Sequence, residues 1–453
     1  MKTIIGLEVH IQLNTKTKLF CSCPNLSSAS PNTIVCVICL GMPGSKPLVN
    51  KEALVKGIQL GMALGSDINS RIFFSRKTYF YPDMSKNYQI TQYEAPTASE
   101  GSLSLDKKTI RIRRLQVEED PASLVHEKSF SLIDYNRSGT PLIELVTEPD
   151  FNSVEEVSLF LEKLQAILDY LNIHDVHEGS LRVDVNVNIE GHPRVEIKNV
   201  TGMKSIEKAI LFELVRQKLA LKSGKALIQE TRHFDAETGK TLTSRSKETE
   251  ADYGYILEGD IPLISFHSSF LKTIHDTLPE LPERKMQRFQ EEFGIDSYQA
   301  FVVCLELGTA DLFELLVQKF DSNDLANWIS GPLRKVLNYN KKTFVQTKIS
   351  SEDIFSLLSL QLPTRAKEMI LRSLIEKRED PEKIAKKLGY SSLSEKELEK
   401  LVEGVLKNEK EALASYKKGE EKALNFLVGQ VISTTQGAAD PKKVRAIFKR
   451  KLE

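Results

Sequence analysis

LRVDVNVNI (Leu181–Ile189) alternates without a fault: Leu181, Val183, Val185, Val187 and Ile189 are apolar, and Arg182, Asp184, Asn186 and Asn188 are polar. A period of two sends the two sets to opposite faces of a strand. EGHP (190–193) supplies a turn. RVEIK (194–198) follows as a second strand, with Val195 and Ile197 on one face and Arg194, Glu196 and Lys198 on the other. Paired as a hairpin, the strands gather Asp184, Glu196, Arg182, Lys198 and two asparagines on one surface, with Asp184 across from Glu196. A solvated outer face accounts for such a surface. Exposed strands, however, favour Thr, Lys and Glu, whereas Asn and Asp are poor strand formers. Propensity sacrificed in this way points to a site, and acids beside amides suit a divalent cation bound to phosphate. Both readings stand at this point.

Around the hairpin the chain has 453 residues, 41% hydrophobic and 27% charged, enough for about three domains with proper cores. Lys plus Arg and Asp plus Glu balance at 62 each, which excludes an overall basic field for nucleic acid. No apolar run reaches the length of a membrane span, and Met1-Lys2-Thr3 leads into a strand, not a signal peptide. The expected location is cytoplasmic, away from any membrane.

IIGLEVHIQL (4–13) alternates like the hairpin, with Glu8, His10 and Gln12 on its polar face. A carboxylate and an imidazole two apart can share one ion, although a wet strand face is the simpler account of His10 alone. Cys21-Ser22-Cys23 and Cys36-Val37-Ile38-Cys39 are two close thiol pairs across a loop, the spacing of a four-thiolate zinc site. Disulfides compete with that reading and are disfavoured in a reducing compartment. Four thiolates leave zinc no open position, so the expected ion is structural. Phe73, Phe74, Tyr79, Phe80, Tyr81, Tyr88 and Tyr93 then interleave with Arg71, Arg76, Lys77 and Lys86. Such a patch stacks nucleotides or packs as core; the turn at Pro82-Asp83 favours an exposed loop.

IRIRRLQVEED (110–120) is a basic strand ending in three acids, and its alternation slips at Arg113-Arg114, the sign of a bulge. Past a bulge, periodicity cannot tell whether Glu118 or Glu119 turns inward. Leu142-Ile143-Glu144-Leu145-Val146 reads as a buried strand in which Glu144 needs a partner or a cation. Asn50 caps a helix to about residue 64. Ser153 and Glu156 form a capping box before a helix striped by Val157, Phe160, Leu161, Leu164 and Ile167, and another helix is expected near 205–218.

Beyond residue 270 the strand signals fade, with Trp328 and Cys304 expected in a helical core. Ser394 and Glu397 open an amphipathic helix as a second capping box. The last helix begins at Asp440-Pro441 and turns Val444, Ile447, Phe448 and Leu452 inward. Lys442, Lys443, Arg445, Lys449, Arg450 and Lys451 make it the one compact basic patch of a neutral chain. RNA contact competes there with a solvated helix end.

Several motifs occur together and in order: IGLEVH (5–10), CLGMPG (39–44), YFYPD (79–83), EED (118–120), GTPLIELVTEPD (139–150), EGSLRVDVN (178–186), VEIKN (195–199), QETRHFD (229–235) and FLVGQV (426–431). In these the chain resembles the GatB family, the B-type subunits of the glutamyl/aspartyl-tRNA amidotransferases, over nearly its full length. The resemblance implies an α+β fold: an antiparallel-sheet cradle with the zinc loop (1–270), an all-α helical domain (271–393) and a small helical tail that contacts tRNA (394–453). It implies ATP-dependent phosphorylation of Glu or Asp mischarged on tRNA(Gln) or tRNA(Asn). Ammonia then displaces the phosphate. Glutamine hydrolysis by the glutaminase subunit of the complex supplies the ammonia, and a small third subunit clamps the other two together. Carried over by position, the Mg²⁺ and ATP site falls on Glu8, His10, Glu119, Glu144, Asp184 and Glu196, with Lys86 and Arg182 as phosphate clamps and Lys442, Lys443, Lys449 and Lys451 on tRNA. Neither GxxxxGK[ST] nor GxGxxG is present, consistent with metal-bound acids in place of a phosphate loop.

The chain departs from the family at SRSKE (244–248) and at 253–262, and many members lack the four cysteines. Two classes of function remain: a catalytic ligase subunit, and a tRNA-binding scaffold without the phosphorylation step. Glu8, His10, Asp184 and Glu196 discriminate for the first, since a scaffold does not need them.

Overall fold

The structure, a computed structural model, describes residues 1–26, 29–174, 181–246, 254–390, 395–417, 420–435 and 439–452. It divides into two compact units, Met1–Leu281 and Pro282–Glu453. In the first, β1 (Thr3–Gln12) precedes α1 (Lys51–Ala63), β2 (Asp67–Ile68), β3 (Arg71–Ile72), β4 (Ser75–Thr78) and β5 (Tyr88–Thr91). Next come β6 (Ala98–Leu105), β7 (Lys108–Glu119), β8 (Ser123–His126), β9 (Ser131–Asp134), β10 (Pro141–Thr147) and α2 (Val154–Leu171). The hairpin is β11 (Leu181–Ile189) and β12 (Val195–Thr201), followed by α3 (Met203–Lys222), β13 (Glu230–Asp235) and β14 (Lys240–Ser246).

Nine strands form one sheet in the order β14-β13-β12-β11-β1-β10-β7-β6-β2. Neighbours are antiparallel except β12 and β13, which run parallel. This departs from the antiparallel sheet expected from sequence. α3 is the cause, because a helical crossover returns the chain to the end from which the previous strand started.

The alternation sorts the two faces as predicted. Val9, Ile11, Val183, Val185 and Val187 are fully buried and form one core with the apolar stripes of α1, α2 and α3. Each such side chain contributes about 1.5–3 kcal/mol by leaving water. Asn50 caps α1, accepting from the N–H groups of Glu52 and Ala53. The box at Ser153 is half made: Ser153 accepts the Glu156 N–H, but the Glu156 carboxylate takes the Asn152 N–H and Lys108 instead of returning to Ser153. The slip at Arg113-Arg114 is a bulge, where β10 pairing jumps from Val146–Arg114 to Thr147–Ile112.

The second unit is helical in its described residues. Trp328 and Cys304 are buried in it as expected. Helices Glu395–Asn408, Glu421–Thr434 and Pro441–Leu452 share a small core that includes Leu398, Val402, Val431, Val444, Ile447 and Phe448. Ser394 lies outside the described residues, as do 178–180 of EGSLRVDVN and 247–248 of SRSKE. Among the described residues no helix is long and apolar enough to cross a membrane. The chain is thus mixed α/β, one large sheet followed by a helical region.

Candidate functional site

The central strand β1 sits between β10 and β11, and this adjacency builds the site. Glu8 pairs with Asp184 on β11, and His10 pairs with Glu144 on β10. Two groups of ligand atoms result, each within 4.8 Å of one another: His10, Glu118 and Glu144, and Glu8, Asp184 and Glu196. Both lie on the polar sheet face, and Glu8, His10, Glu118, Glu144 and Asp184 line a cleft of about 430 Å³. The donor set of carboxylate oxygens with one imidazole fits a hard divalent cation.

In the first group His10 Nε2 lies 3.5 Å from Glu144 Oε2 and 3.9 Å from Glu118 Oε1. Burial lowers the His10 pKa, but the hydrogen bond and charge of Glu144 outweigh it and raise it to about 9. Burial pushes Glu144 up, and the same bond to His10 overrides it and brings Glu144 to about 2. Glu118 is raised by burial and by the nearby Glu144. Thr91 Oγ1 donates to it at 2.8 Å. The imidazole Nδ1 of His10 is buried without a hydrogen-bond partner among the described residues.

The second group lies beside a bulge in β12. Asn186 pairs with Glu196, and between Val183 and Val185 the register shifts so that Lys198 and Asn199 both face Asp184. Because Glu196 sits opposite Asn186, Asp184 and Glu196 are diagonal neighbours and not the direct cross-strand partners expected from sequence. Asn199 has φ +55°, the left-handed conformation Asn tolerates better than most residues. Its N–H donates to Asp184 Oδ1 at 2.7 Å, and Lys198 Nζ donates to Oδ2 at 3.1 Å. Burial raises the Asp184 pKa, and Lys198, His10 and the Asn199 N–H more than cancel it. Glu8 receives Asn186 Nδ2 at 3.2 Å, yet burial together with Glu144 and Asp184 raises it. A carboxylate raised among other acids marks a surplus of negative charge, which a bound cation relieves.

Glu119 and Lys86 stand elsewhere. Glu118 and Glu119 point to opposite faces, and past the bulge it is Glu118 that shares the face of Gln116 and the cleft. Glu119 accepts both a two-oxygen ion pair from Lys86 and the Ile90 N–H at 2.9 Å. The structure thus brings Glu118, not Glu119, to His10 and Glu144, and Lys86 is engaged outside the cleft. Arg182 does line the cleft, donating to Asp120 Oδ1 at 2.7 Å, and Lys77 lines it as well. Sequence reasoning had Lys77 only as one base of an aromatic patch. That patch divides: Phe74 packs edge-on against Phe20 in the core, whereas Phe80 and Tyr81 are exposed beside the turn.

The four thiols meet. Their sulfurs lie within 4.8 Å of one another, and none of the chain's cysteines is in a disulfide. Cys36 and Cys39 Sγ are 3.8 Å apart, the separation of about 3.8 Å that tetrahedral Zn–S bonds impose. The hydrogen bond from Cys21, outweighing burial, lowers Cys39 to about 5 with help from the Cys36 N–H and Lys18. Lys18 is almost fully buried, with Nζ 2.9 Å from the Ile34 carbonyl and 3.8 Å from Cys39 Sγ.

On the last helix Lys442, Lys443 and Lys449 are exposed, but Arg450 pairs with Glu395 and Glu399, and Lys451 with Glu403. The basic patch is smaller than its sequence, because its C-terminal end is matched by acids of helix Glu395–Asn408.

Comparison with known proteins agrees with these features. Residues 3–272 match the GatB/GatE catalytic domain, and residues 311–452 match the GatB domain. A protein of Haloquadratum walsbyi, named as the B-type subunit of an aspartyl/glutamyl-tRNA(Asn/Gln) amidotransferase, is 40% identical over 99% of this chain and 97% of its own length. Proteins of the same name from Saccharolobus solfataricus and Carboxydothermus hydrogenoformans are 40% and 39% identical, over 99% and 100% of this chain and 99% and 98% of theirs. With its catalytic-domain match spanning the sheet that carries the two acid groups, the chain belongs to the GatB family.

Proposed function

We propose that the chain is the GatB component of a glutamine-dependent amidotransferase, a carbon–nitrogen ligase that amidates Glu on tRNA(Gln) or Asp on tRNA(Asn) at the expense of ATP. The observation that carries this reading is the convergence of His10, Glu118, Glu144, Glu8, Asp184 and Glu196 on one buried sheet face. The substrate carboxylate attacks the terminal phosphate of ATP, ADP leaves as the bond to the bridging oxygen breaks, and ammonia then displaces phosphate from the acyl phosphate. These acids and His10 would hold Mg²⁺, whose positive charge would offset the repulsion between carboxylate and polyphosphate. Arg182 and Lys77 on the cleft wall face the same anions.

In this reading ammonia comes from glutamine hydrolysed by the glutaminase subunit, and the small third subunit joins that enzyme to this chain. Lys442, Lys443 and Lys449 contact the tRNA backbone. Residues 1–270 carry the chemistry, 271–393 form a helical domain and 394–453 the tRNA-binding tail. Cys21, Cys23, Cys36 and Cys39 hold a structural Zn²⁺. The scaffold reading loses ground to the buried acids, which are costly to fold and of no use to a passive tRNA clamp.

The test is Asp184→Ala in the complex reconstituted with the glutaminase and the small third subunit. ATP hydrolysis dependent on tRNA should fall by roughly two orders of magnitude or more, as for a group that acts mainly in the transition state. Affinity for tRNA should hold. Asn188→Ala is the mild control, since its side chain donates to the Ile189 and His192 carbonyls. Normal ATPase activity in Asp184→Ala would put the chemistry elsewhere and favour the scaffold.

A further inference from the structure

We propose that Lys198 is the resident counter-ion of Glu8, Asp184 and Glu196, and that it yields this place when a divalent cation enters. Lysine and metal are alternative occupants of one acid pocket. The inference rests on the reading of the cleft as a metal site and adds to it a residue that controls occupancy.

The geometry forces the choice. Lys198 Nζ lies 3.1 Å from Asp184 Oδ2 and 3.6 Å from Glu196 Oε1. A cation such as Mg²⁺ binds carboxylate oxygen at about 2.1 Å, so metal and ammonium on the same oxygen would sit within about 5 Å of each other. In a partly buried pocket that repulsion is strong. Three acids offer more negative charge than one lysine balances, and two positive charges balance more of it. The pocket therefore has reason to exchange one cation for the other.

The fold provides the means. The β12 bulge at Lys198-Asn199 turns both residues onto Asp184, and the fixed Asn199 N–H keeps the carboxylate in place at 2.7 Å when the lysine leaves. Asn186 and Thr231 Oγ1 hold Glu8 and Glu196 in the same way, at 3.2 and 3.1 Å. Lys198 itself is 34% exposed and lines the cleft, so its flexible stem has a path out. Once displaced, the ammonium stays on the wall that faces the anions. The His10 group differs, since its cation is an imidazole that becomes a ligand by losing a proton.

Mn²⁺ alone, titrated into the full-length chain and followed by the EPR signal of the free ion, tests the exchange. The unchanged chain should show one tighter and one weaker class of site. Lys198→Met should tighten the weaker class by about tenfold or more, the weight of one lost charge–charge interaction, and Lys198→Arg should restore weak binding. Equal affinities in the unchanged and Lys198→Met chains overturn the exchange and leave the metal reading intact. No Mn²⁺ binding in either chain overturns both. Should Lys198→Met fail to fold, the unchanged chain still decides: acetylation of Lys198 by acetic anhydride, mapped by mass spectrometry, should rise when Mg²⁺ is added. No change, or protection, overturns the proposal.

Discussion

His10 and Glu144 are direct partners across the β1–β10 ladder, and the imidazole Nε2 lies 3.5 Å from the Glu144 carboxylate. Packed against each other, the two form an ion pair. His10 is raised from 6.5 to about 9, so its contribution to stability is complete below pH 6.5 and is lost as pH rises through 9. Glu144 is lowered from 4.5 to about 2, so its contribution is present above pH 4.5 and is lost as pH falls through 2. Glu144→Gln should therefore cost most between pH 4.5 and 6.5, roughly 1–3 kcal/mol as for a buried charge deprived of its hydrogen-bonded partner. Denaturant unfolding across pH reads the difference. NMR titration of His10 should move to lower pH when Mg²⁺ is added, because a metal ligand must be the neutral imidazole.

Glu118 and Glu119 should separate into a ligand and a brace. Glu118→Gln is expected to weaken Mn²⁺ binding by about tenfold or more while sparing stability, by analogy with losses at metal-site partners. Glu119→Gln leaves the Lys86 ammonium buried without its counter-charge and should cost about 3–5 kcal/mol, the usual result of breaking a buried pair from one side. Thermal melts and Mn²⁺ titration of both variants check the assignment. Loss of Mn²⁺ affinity only in Glu119→Gln would reverse it.

The thiol loop should carry one zinc per chain. Cys23→Ser is expected to lose the metal and lower the melting temperature, whereas metal analysis of the unchanged chain finding no zinc would remove the site. Lys18→Met should weaken retention against a chelator, because a four-thiolate zinc centre carries surplus negative charge and Lys18 Nζ is 3.8 Å from Cys39 Sγ.

The tail lysines should divide by their partners. Replacing Lys442, Lys443 and Lys449 with Ala should weaken tRNA binding and reduce its salt dependence by about one unit per lost phosphate contact. Lys451→Ala breaks the pair with Glu403 and should change tail stability by at most about 1 kcal/mol, as for exposed ion pairs. Unchanged tRNA affinity in the triple variant would leave the patch a solvated helix end.

Alternation alone was enough to assign the faces of β1 and β11, because strand side chains repeat every two residues whatever the partner strand. It put Glu8 and His10 on the polar face of one strand and Asp184 with Glu196 on the polar face of a hairpin, and four close thiols needed no sheet to be noticed. Glu144 was legible as an acid in an apolar run. What alternation could not decide was everything that depends on neighbours. The order β11-β1-β10, not any local pattern, makes His10 meet Glu144 and Glu8 meet Asp184. A bulge adds one residue and reverses which of two adjacent acids faces inward, so Glu118 over Glu119 required the register past Arg113. A second bulge made Asp184 the acceptor for both Lys198 and Asn199. Lys86 looked free for phosphate until the fold set it against Glu119, and Arg450 and Lys451 looked free for tRNA until a neighbouring helix supplied acids. Charge on a side chain is a property of the sequence; whether that charge is already neutralised is a property of the packing.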